Sequence, residues 1–198
     1  MTRRTLSLLT LLLALSALPL SASQFMEVPF DQVVRESAYV VKGTIGETWS
    51  AWDASHEVIF TYATVRVDRY FGESTGPDTL LVREVGGTVD GYTQEAIGFP
   101  AIRSGENVVL LLSKWEDSAD FRIHAFNQGK FLVRQRTDGI EVLVSDPQKQ
   151  GEGRLHSRDR VTANATVEET GLAIEEFSKM VDDARAGQQG PAKIEKLQ

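Results

Sequence analysis

The strongest constraint on the fold is a succession of short segments with the composition and spacing of β-strands. Seven segments of apolar, β-branched or alternating residues are separated mainly by turns that contain Gly, Pro or Asp. They are residues 39–47, 58–71, 79–85, 107–113, 121–126, 130–136 and 140–144. Because such strands pair with one another to bury their apolar faces, the pattern predicts a mainly β domain.

Individual strands favour a closed or partly open barrel, with a β-sandwich as the alternative. Residues 58–71 form the longest candidate, and their polarity contrast sharpens only in the second half, which is typical of a long bent strand. Gly43 and Gly46 interrupt the first strand as bulge or bend positions. Residues 107–113 are the most apolar strand after the N-terminal segment, so we expect them at the centre of the sheet.

Two helices are expected to flank the β region. Residues 29–38 begin with Pro29 and carry Asp31 in the first turn, which suits a short helix. Residues 172–185 repeat apolar side chains at helical spacing, including Phe177 and Val181, and should pack on the barrel as an amphipathic helix. Residues 86–105 are rich in glycine and predict a long loop, and the residues after 145 predict a polar connecting segment.

The N-terminal 23 residues have the pattern of a secretory signal peptide. Arg3 and Arg4 precede an apolar run over residues 6–20, and small residues follow at positions 21–23. The run is short for a membrane span, so we expect cleavage near Gln24 and no stable span afterwards. The paired arginines also allow a twin-arginine signal, although the leucine-rich run favours general secretion. The expected organisation is a signal peptide (1–23), one domain (24–187) and a disordered tail (188–198), located in the periplasm or the medium.

Composition limits the chemistry of an exported chain. The sequence has no cysteine, which excludes disulfides, thiolate metal sites and a thiol nucleophile. Its formal net charge is −7 at pH 7, whereas nucleic-acid binding needs a basic surface. We therefore expect no nucleic-acid partner.

The polar residues show no catalytic spacing. The three histidines His56, His124 and His156 form neither an HExxH nor an HxH motif, and no serine stands in a G-x-S-x-G elbow. No catalytic residue, metal ligand or cofactor is assigned. A secreted hydrolase with a site assembled from distant residues, such as Asp53, His124 and a serine, is the alternative.

Candidate binding residues are Trp49, Trp52, Asp53, Gly87 and Tyr92. The two tryptophans lie in a predicted loop over residues 48–56, where aromatic rings at a barrel mouth stack on sugar or peptide groups, with Asp53 as an acceptor. Gly87 and Tyr92 belong to a glycine-rich segment over residues 84–94. The alternative is structural: tryptophans that close one end of the core, and glycines that serve positive φ angles or close packing.

The order of these segments resembles a known architecture. A short helix leads into YVVKGTIGETWSAWD, followed by FTYATVRVDRYFG, LLVREVGGTVDG, SGENVVLLLSK and NQGKFLV. The pattern, over residues 29–144, resembles a loose family of exported bacterial domains of mostly unknown function. Its layout is similar to the oligonucleotide/oligosaccharide-binding (OB) barrel of netrin-like modules and tissue metalloprotease inhibitors. Those inhibitors chelate the protease zinc through an N-terminal cysteine, which this chain lacks, so the resemblance implies a fold and no functional residue.

Together these features predict an exported, non-catalytic binding or accessory module that recognises a protein or a glycan of the cell envelope or medium. The alternatives are the secreted hydrolase and a peptidase inhibitor or accessory domain.

Export can be tested by mass. The protein recovered from periplasm or medium is expected to start close to Gln24, because signal peptidase reads the small residues before that position. Intact-mass spectrometry measures this directly. Recovery of the full-length chain from the cytoplasm alone would contradict the prediction.

Overall fold

The computed structural model describes residues 28–116, 118–146 and 171–187, and most of them belong to strands or helices. The helices are α1 (Phe30–Glu36) and α2 (Ile174–Arg185), with a short 3-10 helix at Phe126–Gly129. The strands are β1 (Tyr39–Trp52), β2 (Ile59–Tyr70), β3 (Thr79–Val85), β4 (Gly87–Val89), β5 (Tyr92–Gln94), β6 (Asn107–Lys114), β7 (Phe121–Ile123), β8 (Lys130–Gln135), β9 (Glu141–Ser145) and β10 (Leu172–Ala173). The predicted signal peptide, most of the connecting segment and the predicted tail lie outside the described residues.

Five strands close into a barrel. Their order is β1-β2-β3-β7-β6, and β6 returns to pair with β1. The β3–β7 pair is parallel, whereas the other neighbours in the barrel are antiparallel. The prediction of a mainly β closed barrel is confirmed, and the strand order is compatible with an OB-like fold. The sandwich alternative does not apply.

Strand β1 closes the barrel by pairing on both edges. Residues 39–44 pair with β6, while residues 41–52 pair with β2. Register shifts fall at Lys42/Gly43 and between Ile45 and Thr48, which confirms the predicted bulge positions. A Cβ atom at Gly43 would overlap the backbone carbonyl oxygen of Arg66, so only glycine allows this close approach.

Strand β6 separates two apolar cores. Val108, Leu110 and Leu112 point into the barrel, where they pack with residues such as Ile45 and Val65. Val109 and Leu111 alternate with them and face the helices. Because β6 is buried on both sides, its near-continuous apolar sequence is explained, and its predicted central position is confirmed.

The two helices cover the outer core beside β8 and β9. Phe177 of α2 is 0% exposed, and its ring contacts Phe30, Phe71 and Phe131 at centroid distances of 5.6, 5.4 and 5.9 Å. Helix α2 begins two residues later than predicted because Leu172–Ala173 pair with β9 as strand β10. The predicted packing of the C-terminal amphipathic helix is confirmed.

Two segments predicted as loops contain strands. The loop expected over residues 48–56 is largely strand: β1 continues through Trp52, with Trp49 opposite Tyr62 and Trp52 opposite Ile59. Cross-strand pairing overrides the turn-like Ser-Ala pair between the tryptophans, leaving a turn only after Trp52. The predicted long loop over residues 86–105 likewise contains the hairpin β4–β5.

Truncation at the centre of the outer core should be costly. We expect Phe177→Ala to reduce the free energy of unfolding by about 3–5 kcal/mol, because it removes a fully buried ring and leaves a cavity between three other aromatic side chains. Urea unfolding provides the measurement. Phe126→Ala, at an exposed phenylalanine, is the matched control and should cost clearly less. Equal midpoints for the wild type and Phe177→Ala would show that α2 does not contribute to the core.

Candidate functional site

Beyond the barrel, the end of the β1–β2 hairpin has two distinct faces. Trp49 and Trp52 are an odd number of residues apart in one strand, so their side chains lie on opposite sides of it. Trp49 is 39% exposed and its ring is parallel to that of Tyr62, with centroids 5.4 Å apart and planes 7° apart. Tyr62 lies directly opposite on β2, so this stacked pair belongs to the outer face of the sheet.

Four aromatic rings and one guanidinium group lie on the outer side of β1, β2 and β3, and we call them the aromatic face: Trp49, Phe60, Tyr62, Trp115 and Arg83. Tyr62 pairs with Trp49 on one side and with Arg83 on the other. The Arg83 guanidinium lies over the rings of Phe60 and Trp115, 4.6 and 4.8 Å from their centroids. Arg83 is only 9% exposed, and Trp49 is the exposed ring of this face, while Phe60, Tyr62 and Trp115 are half-buried.

Trp115 links this face to a loop. Its indole Nε1 donates a hydrogen bond to the carbonyl oxygen of Arg83 at 2.9 Å, and its ring meets Phe60 edge-on at 5.6 Å. Trp115 follows β6, the fourth strand of the barrel in chain order, while the turn after Trp52 joins the first and second. In OB folds the ligand site lies on the sheet face of the second and third strands, between these two loops. The aromatic face lies on the outer side of β1, β2 and β3, next to the loop that follows β6.

The inner face of the hairpin carries Trp52, which contacts a ring of the β4–β5 hairpin. The ring of Trp52 lies 6.0 Å from that of Tyr92 on β5 and 6.1 Å from that of His56. Tyr92 is 67% exposed. The structure thus brings Trp52 and Tyr92 together and separates them from Trp49.

Gly87 has a backbone role at this inner face. Its φ angle is +134°, and a Cβ atom there would lie 2.6 Å from Thr61 Oγ1 and would also overlap Ser50 Oγ. Glycine therefore lets β4 lie directly on β1 and β2. The interpretation of these glycines as positive-φ or close-packing positions is confirmed.

Asp53 organises the turn between β1 and β2. Its Oδ1 accepts hydrogen bonds from the backbone N–H groups of Glu57 and Val58 at 2.8 and 3.0 Å, and its Oδ2 accepts one from the Ser55 hydroxyl. These bonds, led by that from Ser55, lower the pKa of the Asp53 carboxyl to about 2. Both oxygens are thus engaged within the turn that follows Trp52.

A cavity of about 510 Å³ opens on the inner side of β3, and we call it the Glu84 cavity. Its walls come from Thr61, Glu84, the start of β4 and the loop of residues 95–102, together with Gln94 and Asn127. Alternation along β3 places Leu80 and Val82 in the barrel core and Glu84 next in the same row. The carboxyl group therefore lies where the apolar core meets the cavity.

Glu84 is buried at the base of this cavity. It is 3% exposed, and its Oε1 accepts a hydrogen bond from the backbone N–H of Ile123. Burial raises the pKa of Glu84 to about 8, although the Ile123 bond and the positive charge of Arg122 act in the opposite direction. The group is therefore mostly protonated and neutral at pH 7.

A buried ion network holds the outer wall of the cavity. Lys130 Nζ donates to the carbonyl oxygen of Ala101 at 2.5 Å, to Glu106 Oε2 at 2.7 Å and to Asp146 Oδ2 at 3.0 Å. Ala101 belongs to the cavity-lining loop. Since Lys130 is compensated by two carboxylates and a carbonyl, the network fixes this loop against the start of β8.

The alternative of a Ser-His-Asp hydrolase receives no geometric support from these residues. Asp53 is bonded to Ser55 and to the turn, whereas His124 Nε2 lies 3.3 Å from Glu36 Oε2 on α1. Within residues 28–116, 118–146 and 171–187, no cluster of three or more potential metal ligands was found. Helices long and apolar enough to cross a bilayer are not found in those ranges either.

Sequence reasoning missed Glu84, Phe60, Tyr62 and Arg83. The alternation of residues 58–71 placed Phe60 and Tyr62 on one side of their strand, but it did not reveal which strands would flank them. The signal for Glu84 was a single carboxylate that continues the inward-facing row of Leu80 and Val82.

The buried carboxyl group predicts a pH dependence of stability. The unfolded chain releases the Glu84 proton near pH 4.5, whereas the folded chain retains it up to about pH 8. The unfolded state is therefore favoured progressively as pH rises between these values, and stability falls. Glu84→Gln cannot ionise, so we expect its free energy of unfolding relative to wild type to increase from about pH 5 to about pH 8 and then level off. Urea unfolding across that range is the measurement.

The exposed Glu57→Gln variant is the matched control and should show no such trend. A constant difference between Glu84→Gln and wild type across the range would mean that Glu84 is ionised in the folded protein at neutral pH.

The comparisons with known proteins add no relative. No protein-family model matches the chain, and no curated protein or solved structure matches it. The aromatic face and the Glu84 cavity are therefore the two features from which function is inferred.

Proposed function

We propose that this protein is an exported, non-catalytic binding module that recognises a glycan of the cell envelope or medium through its aromatic face. The observation that carries the proposal is the stack of Trp49 on Tyr62, continuous with Phe60, Arg83 and Trp115 on the outer side of β1, β2 and β3. Export, periplasmic or secreted location and a netrin-like affiliation belong to the same proposal, supported by the N-terminal sequence pattern and the OB-like strand order.

The chemistry of the face favours a sugar. Flat aromatic rings bind the apolar faces of pyranose rings, and OB barrels bind oligosaccharides as well as oligonucleotides on this surface. The negative charge of the chain disfavours a polyanionic strand, because phosphate contacts need a basic surface. Because the guanidinium of Arg83 is covered, the exposed ring of Trp49 and the half-buried rings beside it supply the main contact area of the aromatic face.

Polar groups at the edge of the aromatic face could orient a bound sugar. Thr64 lies two residues from Tyr62 on the same side of β2, and its hydroxyl accepts a hydrogen bond from the backbone N–H of Glu47 at 3.0 Å. Glu47 itself is exposed beside Trp49. Stacking rings with a few adjacent polar groups are the usual composition of a carbohydrate site, in which rings supply contact area and polar groups supply direction.

Binding assays with matched aromatic variants test this function. Trp49→Ala and Tyr62→Ala are each expected to weaken binding about tenfold or more, on the scale of a hot-spot contact, with the melting temperature nearly unchanged for the exposed Trp49. The probes are chitotetraose, cellotetraose and purified glycan strands of peptidoglycan, measured by calorimetry. Trp52→Ala in β1 and Tyr92→Ala in β5, whose rings contact each other on the inner side of the β1–β2 hairpin, are the controls and should bind as the wild type does.

Two results would overturn the assignment. Loss of binding in Trp52→Ala or Tyr92→Ala, with Trp49→Ala unaffected, would move the site to the inner face. Absence of glycan binding together with specific capture of a protein by the wild type, abolished in Trp49→Ala, would make the aromatic face a protein-binding surface.

A further inference from the structure

We propose that the Glu84 cavity is a second binding site, which accepts an organic cation: an ammonium or guanidinium group on a slender carbon chain, paired with the carboxyl group of Glu84. The site lies on the opposite side of β3 from the aromatic face, because Arg83 and Glu84 are consecutive residues of one strand. The proposal is therefore independent of glycan binding.

The composition of the cavity selects for positive charge. Two acidic side chains, Glu84 and Glu95, line it, and no Lys, Arg or His is among the described residues of its walls. Phe99 adds an aromatic ring of the kind that attracts cations, and Gln94 and Asn127 add amide groups. A volume of about 510 Å³ is within the range of small-molecule sites.

The walls of the cavity are held in place by hydrogen bonds and ring contacts of the residues that form them. Gln94 Oε1 accepts a hydrogen bond from the Ile59 N–H at 2.7 Å, and the Asn127 N–H donates to the carbonyl oxygen of Gly98 at 3.2 Å. The Phe99 ring meets Phe126 edge-on at 4.9 Å. With Lys130 bonded to Ala101, both ends of the loop of residues 95–102 are anchored, so the cavity is preformed.

The charged groups around Glu84 define its response to a bound cation. Arg122 of β7 lies over the Trp115 ring at 5.2 Å on the outer side of the barrel, Glu95 lies across the cavity, and Lys130 is neutralised by Glu106 and Asp146. None of these groups supplies a cation inside the cavity. A ligand ammonium would stabilise the ionised carboxylate and displace the proton that Glu84 retains near neutral pH.

Cation binding is therefore coupled to proton release. Below pH 8 the free site must lose a proton before it can form the ion pair, so affinity should rise with pH until Glu84 is ionised without ligand. From about pH 6.5 to about pH 8.5 we expect an increase of at least tenfold, and close to one proton released per ligand at pH 7.

Calorimetry with defined probes tests the site on the mature protein. n-Butylamine and n-butylguanidinium represent free cations, and blocked Gly-Gly-Lys-Gly-Gly and Gly-Gly-Arg-Gly-Gly peptides represent basic side chains of a polypeptide. A blocked Gly-Gly-norleucine-Gly-Gly peptide, in which an uncharged side chain replaces lysine, is the control. Titrations in two buffers of different ionisation enthalpy measure the protons released by the wild type, so that this readout does not depend on any variant.

Variants then locate the site. Glu84→Gln retains an acceptor for the Ile123 N–H and should lose at least about tenfold in affinity, as well as the pH dependence. Glu57→Gln, at an exposed carboxylate of the β1–β2 turn, should match the wild type. Tighter binding of the free cations than of the peptides would indicate a small-molecule ligand, and the reverse a basic side chain; either supports the proposal.

The proposal is overturned if none of the four cationic probes binds at millimolar concentration. It is equally overturned if the norleucine peptide binds as tightly as the lysine peptide, or if binding by the wild type releases no proton and does not change with pH. Unaltered affinity in Glu84→Gln would place any cation site elsewhere.

Discussion

The rest of the structure depends on the pairing of β1 with two strands at once. Its first half joins β6 and its second half joins β2, and this double pairing is what closes the sheet into a barrel. The bulges at Lys42/Gly43 and between Ile45 and Thr48 increase the local bend and twist, so that one strand can follow the curve. Gly43 makes the bend sterically possible because its hydrogen faces the carbonyl oxygen of Arg66. Without the double pairing of β1, the sheet would stay open and would not enclose core residues such as Ile45 and Leu112.

The same long strand produces the candidate sites. Because β1 and β2 continue past the barrel as a hairpin, their outer side exposes Trp49 and Tyr62, while their inner side is covered by β4 and β5 at Gly87. A hairpin projecting from a closed core carries few apolar contacts on its outer side, so large aromatic residues there are not explained by core packing alone. The barrel thus supports a rigid aromatic surface at its edge.

The sequence predicts the parts of this structure that local patterns control. The continuous apolar sequence of residues 107–113 identified the central strand, Asp138-Gly139 identified the β8–β9 turn, and the spacing of Phe177 and Val181 identified α2. The expectation that residues 58–71 form the longest strand is wrong: β1 has 14 residues and β2 has 12, because the pairing of β1 with β2 continues through Trp52. The positions of the candidate site residues depend on pairing between strands that are distant in the sequence. Trp49 and Trp52 looked like loop residues because nothing in the local sequence shows that Tyr62 and Ile59 lie opposite them. The position of Glu84 similarly depends on the parallel approach of β7 to β3, a contact between distant residues.

A buried carboxyl at the end of the barrel core also distinguishes two ways of placing charge inside this protein. Lys130 is surrounded by Glu106, Asp146 and a carbonyl oxygen, so its charge is compensated and the network serves to hold the chain. Glu84 receives one backbone N–H bond and lines a cavity whose walls hold a further acid and no Lys, Arg or His, and the charge of Arg122 offsets only part of the cost of burying its carboxylate. The fold accommodates this group by leaving it protonated. An ionisable carboxyl group is therefore buried at the wall of a cavity that a ligand could enter. Structural packing would be served as well by an uncharged residue that accepts the Ile123 bond, and the acidic group therefore points to a ligand that supplies the missing positive charge.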